Sequence, residues 1–318
     1  MESARPMMIR EFLVSAFGAR VPVYAGGFVS DSKLSLKLLG VPMLISDNDP
    51  VALSPSAAML CGYLALAPDE GRLRSVAAAQ LFADCSESAA RRRLNTAVWR
   101  LRSEVRSSIG VNLVASNGDR KVALSPGVEI AIDARIIEEL VSQVMGVSAA
   151  DMTEADASRM ERAIALHCGK LLEPCDDEWV LSARNRIENL YLTALDYLLQ
   201  YSGSRGEIEA AAKYGELALC LEPLREDVHR HLMSAYGAAG RDDLVERQFE
   251  RCRMALLTEL GADPLPETIA LYARLTRNER GRSANVAALV EELERARRDV
   301  GRLAEIVDRA IDRLRLMS

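Results

Sequence analysis

The residues with the most chemistry to offer lie in one short run, "ARRRLNTAVWRLRSEV" at positions 90–105. Arginine pairs with phosphates or binds a guanine edge through its forked guanidinium, asparagine can match an adenine edge, and threonine contacts a thymine methyl or a phosphate. The apolar members Ala90, Leu94, Val98, Leu101 and Val105 recur at spacings of three and four, which commits one face of a helix to a core. At about 100° per residue the opposite side carries Arg92, Thr96, Trp99 and Ser103, with Arg93 and Arg100 flanking it on one side and Asn95 and Arg106 on the other. Such a face suits the major groove of double-stranded DNA. Trp99 belongs to it by position, although a tryptophan more often packs, here under a neighbouring hairpin, than reads bases. The competing account is a solvated arginine face paired with acids. Within the helix only Glu104 is close enough to pair, four residues from Arg100, so most of the charge has no local partner.

A helix that reads a groove must be held at an angle by other elements, and the flanking sequence supplies them. From Lys33 the text "KLSLKLL" alternates as a half-buried strand does, Gly40 to Pro42 turns it, and "VAL" before Ser54 gives a further short strand of a small antiparallel sheet. Ser54 followed by Pro55 predicts a helix start, because a serine oxygen can accept an orphan backbone N–H and proline needs no partner in the first turn. That helix runs to about Ala67, a second fits Leu73 to Phe82, and the arginine helix spans about Ser88 to Ser108 with Ser86 or Ser88 as cap. Beyond it "VNLVASNGDRKVALS" reads as two strands around the dipeptide Asn117 and Gly118, which suits a tight hairpin. Arg120 and Lys121 follow the turn, where a cationic tip reaches a phosphate or the minor groove. Sheet, three helices and hairpin predict a winged helix-turn-helix over residues 33–125, its third helix entering the major groove.

The chain as a whole is less obviously suited to DNA. It has 318 residues, 49% of them apolar and only 5% aromatic, a balance that predicts a mainly α protein of two or three domains. The net charge of −6 argues against bulk attraction to nucleic acid. However, residues 33–125 hold 12 Lys and Arg against 8 Asp and Glu, and residues 126–277 hold 16 against 27. The basic surplus is local. The six cysteines form no CxxC pair and read as small buried thiols. Residues 1–32 have no sustained period and read as an extension, with an apolar run too interrupted for a signal peptide. With no run of membrane-spanning length, the expectation is a cytoplasmic protein without a membrane partner. Neither a phosphate-cradling glycine loop nor a paired nucleophile and base occurs, and three histidines without cysteine neighbours make a poor metal site. No enzyme activity, metal or cofactor is expected.

Residues 126–277 read as a TPR-like all-α helical-repeat domain. Gly206 and Gly240 lie 34 residues apart, the period of tetratricopeptide helix pairs. Aligned on them, Leu195 falls over His229, Leu198 over Leu232, Ala211 over Val245, Gly215 over Phe249 and Ala218 over Cys252. Tyr236, Gly240 and Phe249 stand where such repeats place an aromatic, a turn glycine and an aromatic. "TELGADPLPET" then inserts a turn before a closing helix that ends near Leu275. Stacked helix pairs present a surface for another protein or a ligand, or else only position the winged helix. His229 and His231 point to different sides of a helix and do not make a joint metal site.

Residues 283–318 predict a C-terminal amphipathic, coiled-coil-like helix. Leu289, Leu293, Ala296, Val300, Leu303, Val307, Ala310, Leu314 and Met317 alternate spacings of four and three, a four-heptad seam. Glu292 and Arg297 could pair across a parallel homodimer, which would suit paired DNA half-sites. Ile306 and Ile311 widen the stripe, as packing back on the repeat domain would require.

Taken together, "LFADCSESAARRRLNTAVWRLRSEV", "DDEWVLSARNRIENLYLTALDYL" and "LCLEPLREDVHRHLMSAYGAAGR" resemble the SARP-like bacterial transcriptional activators, which join an OmpR-type winged helix to a bacterial transcriptional activator domain (BTAD). The resemblance covers residues 33 to about 277. It implies an activator that binds repeats upstream of a promoter and recruits RNA polymerase holoenzyme through its sigma factor and neighbouring subunits. That family commonly has arginine at the position of Asn95, so its operator sequence does not carry over. The contrasting function is a helical-repeat adaptor whose winged domain binds protein.

Overall fold

The computed structural model describes residues 33–117 and 120–277, together with the separate helical positions 293, 295 and 297. The expected extension over 1–32, the turn residue Gly118 and most of the heptad seam lie outside the described residues. The chain packs as two units, Met1–Arg205 with Glu209–Glu222 and Gly206–Ile208 with Pro223–Ser318. The fold class is the expected one: mainly α, with the strands concentrated towards the N-terminus.

The first unit opens with β1 (Leu34–Lys37), β2 (Met43–Ser46) and β3 (Asp49–Val51), paired antiparallel in sequence. Asp47 and Asn48 both have positive φ, 48° and 73°, and make the two-residue connection between β2 and β3. The sheet is not purely antiparallel, because β7 (Ala131–Ile132) adds parallel to β1 and gives the order β3-β2-β1-β7. With a neighbour on each side, β1 is the inner strand, and Ser35 is buried along with Leu34 and Leu36.

Three helices follow: α1 (Pro55–Ala65), α2 (Arg74–Leu81) and α3 (Glu87–Ile109). Pro55 begins α1 as expected, but the cap is different: the Ser54 hydroxyl accepts no backbone N–H. Glu104 of α3 instead accepts the Ser54 N–H through Oε2 at 2.9 Å. The Ala57 N–H goes to the Ser54 carbonyl at 2.9 Å. The expected hairpin is formed by β5 (Val114–Asn117) and β6 (Lys121–Leu124), and β4 (Arg72–Leu73) adds to it in the order β4-β6-β5. Two residues are too few to show a strand period, so β4 has no signature in the sequence.

The same unit continues into α4 (Asp133–Ser142), α5 (Glu154–Leu166), α6 (Glu178–Ser204) and α7 (Ile208–Leu221). Packing therefore crosses the boundary expected at residues 125 and 126. Its anchor is Asp133, first residue of α4 and 3% exposed. The carboxylate accepts the Leu38 N–H at 2.8 Å (Oδ2) and 2.9 Å (Oδ1), the Leu39 N–H at 3.0 Å and the Ala134 N–H at 2.8 Å. Burial pushes this carboxyl up to about 6, against the pull of the N–H groups of Leu39, Leu38 and Ala134.

In the second unit α8 (Glu226–Ala238) and α9 (Asp242–Leu260) form a hairpin, followed by a helix over residues 266–277. The two glycines that set the repeat period both adopt positive φ, 75° at Gly206 and 69° at Gly240. His229 is buried, and Gln248 Nε2 approaches its Nδ1 at 2.8 Å. An amide nitrogen only donates, so Nδ1 accepts and the protonated Nε2 donates to the Pro223 carbonyl at 3.2 Å. His231 is exposed, so the two histidines do diverge. The inserted turn is fixed by Glu226, whose Oε2 accepts from the Leu265 N–H at 2.8 Å and the Thr268 hydroxyl at 2.6 Å. Of the cysteines, Cys61, Cys175 and Cys252 are buried as expected, Cys85 and Cys220 are half-buried, and Cys168 is exposed. Leu293 of the seam is 62% exposed.

Two measurements test the Asp133 anchor. Replacing it by alanine strands the N–H groups of Leu38 and Leu39, at about 1–3 kcal/mol each, so Asp133→Ala should lose about 2–6 kcal/mol in denaturant unfolding. A loss near zero would show that the carboxylate is dispensable. The second is pH dependence. Because the folded carboxyl titrates near about 6 and its ordinary value is 3.8, the folded chain binds more protons through this group between those pH values. Its contribution is therefore lost as pH rises. The unfolding free energy of wild type minus that of Asp133→Asn should fall from about pH 4 to about pH 6 and level off above.

Candidate nucleic-acid interface

The α3 helix divides its faces as its periodicity predicts. Ala90, Leu94, Val98, Leu101 and Val105 are buried, together with Ala97, while Arg91, Arg92, Arg93, Asn95, Thr96, Trp99, Arg100 and Arg106 are exposed. Trp99 is 66% exposed, so among the described residues it is not buried under the hairpin as a packing tryptophan would be. The reason is geometric: the hairpin is claimed by Arg102, one turn on, whose Nε and Nη2 both donate to the Val114 carbonyl at 3.2 Å.

The charges on this face differ in how firmly they are held. Arg92 makes no side-chain hydrogen bond or ion pair among the described residues, and Arg100 reaches only the Ser56 hydroxyl, at 3.4 Å. Glu104 does not pair with Arg100 among the described residues; its Oε2 holds the Ser54 N–H. Two ion pairs have no counterpart among the expectations. Arg91 meets Glu87 at 2.5 Å, one turn earlier, and Arg93 meets Asp84 of the preceding loop at 3.4 Å. A hydrogen bond from the Cys85 thiol, together with Arg93, holds the Asp84 carboxyl below the usual carboxylate range. Exposed pairs of this kind contribute about 0–1 kcal/mol, so a phosphate can compete for Arg93. Thr96 donates its hydroxyl back to the Arg92 carbonyl at 3.1 Å, which leaves both oxygen lone pairs able to accept. Asn95 accepts a hydrogen bond from Arg74 Nη2 at 2.7 Å.

The hairpin brings Arg120 to the same end of the unit. Arg120 is exposed, and its carbonyl accepts the Arg74 N–H at 2.9 Å, which ties β6 to the start of α2. Lys121 is partly covered, with Glu70 at 3.6 Å from Nζ, and is the more restrained of the two. Of the sequence-derived residues, Arg92, Arg93, Asn95, Thr96, Trp99 and Arg100 share one exposed side of α3, with Arg120 and Lys121 on a separate strand pair. Sequence reasoning missed Arg74, which touches both groups. Only its position at the start of the second helix could have signalled it.

Several contacts hold α1 and α2 under α3. Tyr63 of α1 donates to Gln80 Oε1 of α2 at 2.6 Å and meets the Trp179 ring edge-on, at 4.9 Å between centroids. Arg135 of α4 donates to the Ala65 and Ala67 carbonyls at 3.2 and 3.1 Å and to Asp69 at 2.7 Å. These bonds satisfy carbonyls at the open end of α1. Among the described residues no helix is long and apolar enough to cross a membrane.

Comparison with known proteins bears on the helical part most directly. Residues 132–276 match the family model described as bacterial transcriptional activator domain. The match begins one residue before Asp133. No curated protein matches the sequence. Among solved structures, Mycobacterium tuberculosis EmbR, determined in complex with a low-affinity phosphopeptide, is similar in fold, with a TM-score of 0.63 at 21% identity. That match covers 78% of this chain and 66% of the EmbR chain. Residues 132–276 thus match a bacterial transcriptional activator domain, within a chain whose fold is similar to that of EmbR.

Proposed function

We propose that this protein is a cytoplasmic, sequence-specific DNA-binding transcriptional activator, in which residues 33–125 act as a winged helix-turn-helix. The observation that carries the reading is the outer face of α3: Arg92, Thr96, Trp99 and Arg100 stand exposed on a helix whose other side is fully committed to the core. A monomer's exposed tryptophan flanked by arginines with few protein partners is suited to a polyanion with flat apolar edges. In this reading α3 lies in the major groove and contacts bases, while Arg120 and Lys121 engage the backbone beside it. The bacterial transcriptional activator domain supplies the surface for RNA polymerase holoenzyme and its sigma factor. The heptad seam over residues 283–318 joins two copies, so that the operator is a pair of repeats next to a promoter.

The test is binding of the purified protein to the DNA upstream of its own and neighbouring genes, over a salt series, with footprinting. Wild type should protect a pair of short repeats. The double variant Arg92→Ala and Arg100→Ala should weaken binding and reduce the slope of log affinity against log salt by about 0.9 for each phosphate that is no longer neutralised. Both side chains are exposed, so the thermal unfolding of the variant should match wild type. Unchanged affinity and slope would overturn the assignment and favour an adaptor that binds protein through this face.

A further inference from the structure

The hydrogen bond from Arg74 to Asn95 changes what that asparagine can say to a base. A free asparagine side chain offers one acceptor and one donor side by side, and this pair matches the N6 amino group and N7 of adenine. Here Oδ1 is engaged by Arg74 Nη2 at 2.7 Å. The orientation of the amide is fixed by chemistry, because a guanidinium has donors only and must face the oxygen. The Nδ2 amino group is therefore the side turned away from Arg74. An adenine amino group approaching Oδ1 would place a further donor hydrogen beside a cation that already occupies one lone pair. A guanine edge, with O6 and N7 both acceptors, meets the Nδ2 hydrogens without that conflict.

Arg74 is also positioned well enough to enforce this. It is the first residue of α2, directly after β4, and β4 is paired to β6 through Arg72 with Val122 and Leu73 with Lys121. The Arg74 N–H donates to the Arg120 carbonyl. The backbone that carries the guanidinium is thus held by the hairpin, and its side chain reaches α3. Resting on the DNA-binding reading above, we infer that Arg74 is a specificity-determining residue: it locks Asn95 as a donor and makes it read guanine in place of adenine.

The experiment is selection of binding sites from randomised duplex DNA by the full-length chain and three variants, with sequencing of the enriched pool. Asn95→Ala identifies the base pair that Asn95 reads, as the position whose preference disappears. At that position wild type should favour guanine over adenine by about tenfold, the scale of one good polar base contact. Arg74→Met keeps the length of the side chain and removes its donors, and should shift the same position towards adenine while the rest of the site is retained. Arg74→Lys, which still donates to Oδ1, should keep guanine. Adenine at this position for wild type, or no shift with Arg74→Met, overturns the inference and leaves DNA binding intact. Failure of wild type to enrich any sequence overturns the DNA-binding reading itself and the inference with it.

Discussion

The Asp133 carboxylate is the interaction on which the first unit depends. It sits at the N-terminus of α4, where backbone N–H groups and the helix dipole favour an anion, and it accepts N–H groups from the end of β1, nearly a hundred residues earlier in the chain. Without it the chain at Leu38 and Leu39 would leave the sheet with donors unsatisfied and buried. The carbonyls of the same stretch are covered from the other direction. Leu172 donates its N–H to the Leu38 carbonyl and Glu173 to that of Gly40, and Gly40 donates to Lys170. That loop is in turn fixed by the buried Arg184, which donates to the carbonyls of Leu171, Leu172 and Cys175 at 2.7–3.2 Å. A buried guanidinium is costly unless its donors are met, and here the loop curls to meet them, with Leu172 held at a φ of 47°.

These two charged groups explain why, within the first unit, the helices that follow Asp133 and the arginine helix form one body. Leu172, once placed, lies so close to α1 that a Cβ at Gly62 would fall 2.7 Å from its Cδ2, so this helix position accepts only glycine without a shift. Arg135 grips the far end of α1, and α1 is capped by Glu104 of α3. The orientation of α3 is therefore set by side chains that begin in the activator domain. Its residues divide by angle around the axis: Arg102 and Glu104 point inward to fix the hairpin and α1, and Arg92, Thr96, Trp99 and Arg100 are left outward. Arg135 and Leu172 thus both bear on α1, the helix whose N-terminus Glu104 of α3 holds.

How much of this is legible in the sequence depends on the range of each interaction. The helices are legible, because their signals repeat every three or four residues and lie within one segment: the boundaries of α2 and α3 fall within a residue or two of those expected. The repeat glycines are legible for the same reason. The Ser54 side-chain cap expected from a local rule does not form: the Ala57 N–H bonds the Ser54 carbonyl, and the Ser54 N–H is held by a glutamate fifty residues away. Arg100 reaches the Ser56 hydroxyl, and no ion pair with Glu104 forms among the described residues. The Arg91–Glu87 pair is within reach of the spacing rule, since Glu87 precedes Arg91 by four residues, but the expected helix begins one residue later. The Asp133 anchor and β7 have no signature at all, since both arise from contacts across most of the first unit. At the candidate site, the residue types and the face are readable, and the hydrogen bond that sets the polarity of Asn95 is not.

An acidic chain can still present a basic face, because the relevant field is local. At physiological salt the Debye length is about 8 Å, so the surplus of acids over residues 126–277 is screened beyond roughly one helix diameter from α3. Within that distance Arg92, Arg93, Arg100 and Arg120 dominate. In the proposed DNA-binding reading, affinity rests on short contacts on this one face, where Trp99 and Asn95 meet the bases and the arginines supply the charge.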